Sequence, residues 1–170
     1  MSKEIWLISD THFNHKNMIE WRTGRPGFSS VEEMNQLMID NWNSNIKQGD
    51  IVYHLGDVFM GSQDWFKSNW PRLNGRKRLI VGNHDDIKFL SCGGFFSKVL
   101  MWRKFQEFGI LLSHVPLDKG SLYNWKSDEY LHNVHGHTHR NNHEDVDTYT
   151  NICVEQTNYK PINIEEVRKK

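Results

Sequence analysis

Clusters of metal-binding side chains that follow apolar segments constrain this chain more than any other feature of its sequence. In chain order the clusters are Asp10-Thr11-His12, Gly56-Asp57, Gly82-Asn83-His84-Asp85 and Gly136-His137-Thr138-His139. In three of the four, the cluster begins directly where an apolar run typical of a strand ends. Ligands of open α/β sheets gather at the carboxyl ends of the strands. The repetition therefore predicts that several strands deliver Asp, Asn and His to one edge of a sheet.

The composition fits an ordinary globular protein, and its 170 residues suit a single domain over 1–170. Hydrophobic residues make up 37% and charged residues 25%. Lys plus Arg equals Asp plus Glu, at 21 each, so no overall basic surplus favours tight non-specific nucleic-acid binding. A local basic patch is compatible with this balance.

Cysteine use and apolar run length predict the compartment. Cys92 and Cys153 stand alone, without the spacing of a metal site or a disulfide framework, which favours a reducing compartment. A strand is predicted almost at the first residue, which leaves no room for a signal peptide. The apolar runs are too short to cross a bilayer. We therefore expect a cytoplasmic protein with no membrane partner.

The first half of the chain alternates between strand and helix patterns. Strands are predicted at 4–9, 51–55 and 76–81, and helices at 16–21, 30–46 and 63–72. The second helix is the clearest, because Ser30 and Glu33 fit a capping box. Its apolar stripe predicts core packing and consists of Val31, Met34, Leu37, Met38, Trp42 and Ile46. This alternation predicts a layered α/β domain.

The second half favours short strands, at 96–102, 108–113, 133–135, 148–155 and 160–167. Between them, the polar segment 115–132 reads as a long loop. Such a loop beside a site is often a substrate-binding element, and an ordinary surface excursion is the alternative.

Seven side chains with oxygen or imidazole ligand atoms lie at or just beyond predicted strand ends: Asp10, His12, Asp57, Asn83, His114, His137 and His139. A mixture of Asp, His and Asn without thiolate suits Mn²⁺, Fe²⁺ or Zn²⁺ better than a structural zinc site. Seven ligands are too many for one tetrahedral ion and suit two ions if one carboxylate bridges them. The two aspartates would leave a net charge of about +2, which attracts an anion and lowers the pKa of a bound water.

These motifs, with Ser113-His114-Val115-Pro116, resemble the calcineurin-like metallophosphoesterases in content and in order. The resemblance covers nearly the whole chain. The segment from Asp10 through Arg25-Pro26 to Asn35 is similar to small bacterial and phage members. The resemblance implies a two-sheet β-sandwich flanked by helices. It also implies an enzyme that hydrolyses phosphate esters by attack of a metal-bound hydroxide on phosphorus.

The resemblance also implies a role for each ligand. Asp10, His12 and His139 would hold a first ion. Asn83, His114 and His137 would hold a second, and Asp57 would bridge the two. The expected ions are divalent, with Mn²⁺ favoured and Fe²⁺, Zn²⁺ or Ni²⁺ as alternatives.

His84 would be the catalytic residue, facing the substrate to stabilise the transition state or protonate the leaving oxygen. Met60 departs from the family pattern, because many members carry there an Asp that supports this histidine. We also expect His15 and Arg25 to contact the substrate. Arg22 and Arg140 are further candidates for a phosphate contact.

The expected substrate is a phosphate-ester small molecule or a nucleotide, since no capping domain is evident and the site should be open. Two alternatives stay open. One is a nuclease acting on nucleic-acid ends, which the balanced charge does not favour. The other is a non-catalytic binding scaffold, against which the complete ligand set argues.

Overall fold

The computed structural model describes residues 3–20 and 24–168. Within these residues the strands are β1 Ile5–Ile8, β2 Ile51–His54, β3 Arg76–Ile80, β4 Val99–Leu100, β5 Trp102–Phe105, β6 Ile110–Ser113, β7 Tyr123–Asn124, β8 Glu129–Tyr130, β9 His132–His135, β10 Tyr149–Asn151 and β11 Ile162–Asn163. The α-helices are α1 Asn17–Glu20, α2 Val31–Asn45, α3 Gln63–Asn69 and α4 Ile87–Cys92. None of these helices is long and apolar enough to span a membrane.

Two sheets form the predicted sandwich. The first has the order β11-β1-β2-β3-β4, in which β1 to β4 run parallel and β11 is antiparallel to β1. The second has the order β10-β9-β6-β5, in which β10, β9 and β6 run parallel and β5 is antiparallel to β6. The predicted fold, a β-sandwich with flanking helices, is confirmed.

Strands β1 and β2 at the centre of the first sheet are covered on both faces, as their apolar runs predict. Neighbouring residues of a strand point to opposite faces. Ile8 therefore packs towards α2 and α3, in the cluster that contains Trp42 and Phe66. Leu7 packs into the space between the sheets, in the cluster that contains Val134. A smaller cluster around Leu122 covers the outer face of the second sheet.

Helix α2 begins where the sequence predicts. The Ser30 hydroxyl accepts from the backbone N–H of Glu33 at 3.1 Å. The Glu33 carboxylate reaches one residue beyond a standard capping box and accepts from the backbone N–H of Ser29 at 2.8 Å. The predicted stripe is wrong at Leu37, which is 39% exposed, while Ile39 is buried. The stripe is otherwise confirmed.

Other differences from the predicted elements have local causes. The strand predicted over 96–102 is two strands, because the chain turns at Met101 and passes from the first sheet to the second. The helix predicted over 63–72 ends at Asn69, and Pro71 lies in a 3₁₀ turn. Helix α4 was not predicted, and Asp86 caps it. The segment 115–132 contains the hairpin β7–β8. The first predicted helix is α1, and position 21 lies outside the described residues.

Candidate metal centre

The predicted ligands meet at one edge of the sandwich. They follow the carboxyl ends of β1, β2 and β3 in the first sheet and of β6 and β9 in the second. A parallel bridge between Ser9 and Cys153 joins the two sheets at this edge. Parallel strands place their carboxyl ends side by side, so residues far apart in the sequence come within ligand distance.

Five of these ligands hold a backbone conformation that L-residues rarely adopt. The positive φ angles are 56° at Asp10, 45° at His12, 55° at Asp57, 68° at His137 and 49° at His139. Such conformations cost free energy and collect at functional sites. These residues are concentrated in the loops that follow the strands. This indicates that the backbone there adopts an unfavourable conformation in order to point the side chains into the site.

Asp10 presents one oxygen to the site and uses the other to fix its position. Its Oδ2 accepts from the Ser9 hydroxyl at 2.5 Å, the His137 backbone N–H at 2.9 Å and the Cys153 thiol at 3.3 Å. Its Oδ1 is buried and has no hydrogen-bond partner within the described residues. Burial raises the pKa of Asp10, and the charge of His114 opposes this. A cation beside Oδ1 would satisfy this atom.

His12 and His139 complete the first group, and with Asp10 their ligand atoms all lie within 4.8 Å of one another. His139 donates from Nδ1 to a Glu155 oxygen at 3.0 Å, which leaves the Nε2 lone pair facing Asp10 Oδ1 at 4.0 Å. The two ring nitrogens of His12 are buried without a partner among the described residues. Burial, then the charge of Arg25, lowers the pKa of His12 to about 3, so the ring is a neutral potential ligand.

The second group consists of Asp57, His114 and His137, again within 4.8 Å of one another. His114 hydrogen-bonds the Leu55 carbonyl oxygen through Nδ1 at 2.7 Å, which directs its Nε2 into the site. Asn83 Oδ1 lies 2.9 Å from His114 Nε2 and 2.9 Å from His137 Nδ1. Asn83 therefore joins this group, as the sequence predicts.

Asp57 lies between the two groups. Its Oδ2 is 3.7 Å from His12 Nε2 in the first group and 3.5 Å from His114 Nε2 in the second. Its Oδ1 accepts from the backbone N–H of His84 at 2.9 Å. Burial alone would raise the pKa of Asp57, but the hydrogen bond and charge of His114 hold it below its usual range. An ionised carboxylate facing both groups suits the bridging position.

The residues present fit two divalent cations of the borderline class. The donor atoms are imidazole nitrogen, carboxylate oxygen and amide oxygen, which Mn²⁺, Fe²⁺ and Zn²⁺ accept. Cys153 adds no thiolate, because burial and the nearby Asp10 raise the pKa of its thiol. The orphaned Asp10 oxygen and the unpartnered His12 nitrogens are the observations that support this fit.

The prediction that Arg25 contacts substrate is wrong. Its side chain is 0% exposed, so no phosphate reaches it from solvent. Its guanidinium donates to the carbonyl oxygen of Asp10 at 2.5 Å, to that of Thr11 at 2.7 Å and to Glu155 Oε1 at 2.8 Å. From the protein interior, Arg25 therefore stabilises the loop after β1 that carries the ligands Asp10 and His12. Arg22 lies outside the described residues, and Arg140 is exposed.

Glu155 is a functional candidate that the sequence predictions missed. Its side chain is 4% exposed and takes hydrogen bonds from both Arg25 and His139. Burial opposes ionisation, but these partners lower the pKa of Glu155 to about 2. A signal was present, because Glu155 directly follows the apolar run 152–154, as the ligand clusters follow theirs.

His84 lies beside the first group, with its ring centroid 5.8 Å from that of His12, and its side chain is exposed. No hydrogen bond to its ring is found within residues 3–20 and 24–168. The neighbouring Asp85 cannot replace the family's missing carboxylate, because it accepts backbone N–H groups of Asp57, Val58 and Gly82. Within the residues that the structure describes, His84 therefore lies beside the site without a supporting carboxylate in the place where Met60 departs from the family pattern.

His15 is close to the site, as predicted for a substrate contact. Its ring centroid lies 5.7 Å from that of His12, and it borders a groove of about 680 Å³. The groove is lined by Asn14, His15, Lys16, Glu32, Met60, Gly61, Ser62 and Trp65. His15 therefore lies between this groove and the ligand His12.

His54 supports the centre from the interior. Its Nδ1 accepts from the Gly56 backbone N–H at 3.2 Å, so its Nε2 carries the proton and donates to the Thr11 hydroxyl at 2.8 Å. Burial lowers its pKa to about 3. The neutral ring ties the loop after β1 to the loop after β2.

Known proteins resemble the chain over almost all its length. It is 35% identical to an uncharacterized protein of Methanocaldococcus jannaschii, over 98% of this chain and 90% of that protein. It is 28% identical to the Gene 66 protein of Mycobacterium phage L5, over 79% of this chain and 76% of the phage protein. A crystal structure of a protein of unknown function from Aquifex aeolicus superposes with a TM-score of 0.73 at 28% identity, covering 98% of each chain.

The family assignment follows from the match of residues 3–164 to the family described as calcineurin-like phosphoesterase. The match spans both sheets and every residue of the two ligand groups. The chain belongs to the calcineurin-like phosphoesterase family.

Proposed function

We propose that this protein is a phosphoesterase that uses two divalent metal ions to hydrolyse a phosphate ester of a small molecule or nucleotide. The observation that carries the proposal is the pair of adjoining ligand groups with Asp57 Oδ2 between them, 3.7 Å from His12 Nε2 and 3.5 Å from His114 Nε2. Membership of a phosphoesterase family supports the reaction class.

The metal ions would be held by the residues described above, Asp10, His12 and His139 on one side and Asn83, His114 and His137 on the other, with Asp57 shared. When bound, two divalent ions supply positive charge for the phosphate oxygens and make a water acidic enough to act as the nucleophile. Mn²⁺ is the ion we favour, since the donors combine oxygen and imidazole nitrogen.

The chain's own groups set the charge of the site and supply a proton. Asp10 and Asp57 are the two carboxylates among the ligands, so four positive charges would be only half offset and an anionic ester would be attracted. His84 is exposed at the rim, where a ring N–H can reach the leaving oxygen. The backbone N–H of His84 meanwhile holds the bridging carboxylate.

The surroundings of the site favour a small or accessible substrate. Asn83, His84 and His137 are all exposed, so the scissile phosphate approaches from open solvent. The groove beside His15 can take the rest of the ester. Its lining mixes one cation, one carboxylate and Trp65 with uncharged polar groups, which suits a small polar molecule.

The test is a hydrolysis screen with Mn²⁺-loaded protein of known metal content, against aryl phosphate monoesters and diesters, nucleotides and cyclic nucleotides. We expect at least one class to be hydrolysed, and Asp57→Asn to abolish that activity. Asp64→Asn is the matched control, because this carboxylate is 92% exposed on α3 and its one ion-pair partner among the described residues is Lys67. Loaded protein that hydrolyses none of these esters, or an Asp57→Asn variant as active as the parent, would refute the proposal.

A further inference from the structure

A second, strongly basic pocket lies on the flank of the sandwich, and none of the metal-centre ligands lines it. Its volume is about 180 Å³, and its lining consists of Tyr53, Arg78, Lys98, Leu100, Trp102, Arg103 and Lys104. Four of these seven residues are cationic and none is acidic. Because the whole chain carries 21 basic and 21 acidic residues, this is a local concentration of charge.

The topology explains why these cations meet. Strands β4 and β5 are the edge strands of the two sheets, joined at Met101. Lys98 comes directly before β4, whereas Arg103 and Lys104 are on β5. Arg78 reaches the same space from β3, the neighbour of β4. The pocket is therefore built from both sheets and does not depend on a single loop.

The four cations lack acidic partners. None has a carboxylate within 4.0 Å among the described residues. Arg78 donates to the Tyr53 hydroxyl, and its Nε has no acceptor in the described part of the chain. Arg103 Cζ lies 4.8 Å from the Phe105 ring centroid. Lys104 alternates with Arg103 along β5, and its Nζ donates to the neutral Asn124 side chain at 3.0 Å, outside the pocket lining. Clustered positive charge of this kind raises the local concentration of anions.

The volume and the lining residues of the pocket indicate which class of anion it can bind. A cavity of about 180 Å³ is smaller than the ~300–1,000 Å³ typical of pockets that enclose a whole small molecule. It suits a phosphate group, which Arg and Lys recognise by charge-assisted hydrogen bonds. Trp102 lines the same pocket and is 58% exposed, so its ring face is available for stacking by an aromatic base.

We propose that this pocket binds the phosphate of a nucleotide unit, with the attached base stacked on Trp102. The site shares no residue with the metal centre, and the proposal does not require the hydrolytic reaction. It lies near the same edge of the sandwich, because Trp102 pairs with Ser113, the residue before the candidate ligand His114. The nucleotide unit could belong to a free nucleotide or to a single-stranded nucleic acid.

The test compares paired charge removals in the metal-loaded full-length protein. Lys98→Gln with Arg103→Gln removes two exposed cations of the pocket. Lys47→Gln with Lys160→Gln removes two exposed cations elsewhere and is the matched control. Binding of AMP, used as its non-hydrolysable methylene phosphonate analogue, is measured by calorimetry, and binding of a fluorescent single-stranded phosphorothioate oligonucleotide by anisotropy at several salt concentrations. Trp102→Ala separately tests stacking.

We expect the pocket pair to weaken binding of at least one probe by roughly tenfold relative to the control pair. If the oligonucleotide is the ligand, the slope of log K against log salt falls by about 1.4, or ~0.7 per lost contact. Trp102→Ala should weaken the same probe without changing that slope. Loss for AMP alone identifies a free nucleotide, and loss for the oligonucleotide identifies a nucleic acid.

Equal binding of both probes by the pocket pair and the control pair would overturn the proposal. The cations would then serve only to protect the exposed edges of β4 and β5 from pairing with other chains. Both binding measurements are independent of turnover. Their failure is therefore distinguishable from failure of the hydrolysis screen.

Discussion

At the scale of single residues, Arg25 and Glu155 hold the first ligand group from inside the protein. Arg25 fixes the carbonyl groups of the loop that carries Asp10. Glu155 accepts the Nδ1 proton of His139 and so keeps the Nε2 lone pair directed at the site. Partners of this kind orient metal-bound histidines and increase their basicity. The site therefore depends on a buried ion pair that contacts no substrate.

Glu155→Gln should weaken metal binding while the fold is kept. Glutamine is nearly isosteric, but it removes the negative charge that faces His139. We expect the affinity of the first site for Mn²⁺ to fall by about 10–100-fold, measured by calorimetric titration of metal-free protein. Glu165→Gln is the control, since Glu165 is exposed and its one ion-pair partner in the described part of the chain is Arg168. Unchanged Mn²⁺ affinity in Glu155→Gln would contradict the positioning role.

His84→Asn should affect esters according to their leaving group. A poor, alkoxide-type leaving group needs a proton from His84, so its kcat/KM should fall by about 10²–10⁴-fold. A nitrophenolate leaving group is stable without protonation, and its hydrolysis should fall far less. Parallel kinetics on an alkyl and a nitrophenyl ester measure the difference. Equal losses on both would show that His84 acts on the phosphate and not on the leaving oxygen.

The sequence predicts the ligands better than it predicts their supports. Asp10, Asp57 and Asn83 stand directly after apolar strands, so the adjacency along the chain reveals their position at the sheet edge. Arg25 instead lies in a loop, and its partner Glu155 is 130 positions away. A buried arginine and an exposed one look alike in a sequence. Only the tertiary contacts show that Arg25 binds groups inside the protein and does not contact a phosphate at the surface.

At the scale of elements, the parallel strands β1 and β2 could be predicted because they are largely buried and their sequences are mostly apolar. The crossing of the chain from the first sheet to the second could not be predicted. The apolar run around Met101 gives no sign that β4 and β5 belong to different sheets. Helix α4 has six residues and depends on the Asp86 cap, so its periodicity is too short to detect.

The close approach of the sheets at the site edge predicts the effect of one added methyl group. A Cβ on Gly136 would lie 2.0 Å from Ser9 Oγ and 2.2 Å from Asp10 Oδ2. Gly136→Ala must therefore displace Asp10, and we expect about 1–3 kcal/mol of destabilisation together with weaker Mn²⁺ binding. Denaturant unfolding and metal titration measure the two effects.

Gly49→Ala is the matched control for that substitution. A Cβ at Gly49 meets nothing within 4 Å, so stability should be unchanged or higher by up to about 1 kcal/mol. If Gly136→Ala were as stable and bound Mn²⁺ as tightly as Gly49→Ala, the sheets would not be held as closely in solution as the structure shows.

At the scale of the whole molecule, the equal numbers of acidic and basic residues conceal two regions of distinct composition. The metal centre combines the carboxylates of Asp10 and Asp57 with imidazole ligands at the edge formed by the strand ends, and the flank between β4 and β5 concentrates cations. Overall charge therefore says little about what the surface binds. The sequence alone could not place the four pocket cations together, because they come from three strand regions of two sheets.

The metal centre joins the two sheets, so metal binding should stabilise the whole fold. Ligands come from the first sheet at Asp10 and Asp57 and from the second at His114 and His139, and this arrangement exists only when both sheets are packed. Mn²⁺ at about 100 times its Kd should add ~2.7 kcal/mol per site. For a chain of 170 residues each occupied site raises Tm by roughly 5–10 °C, measured by differential scanning calorimetry with and without a chelator. The Asp57→Asn variant should lose most of the rise and the exposed Asp64→Asn variant should keep it, whereas an equal rise in both would place the stabilising ion elsewhere.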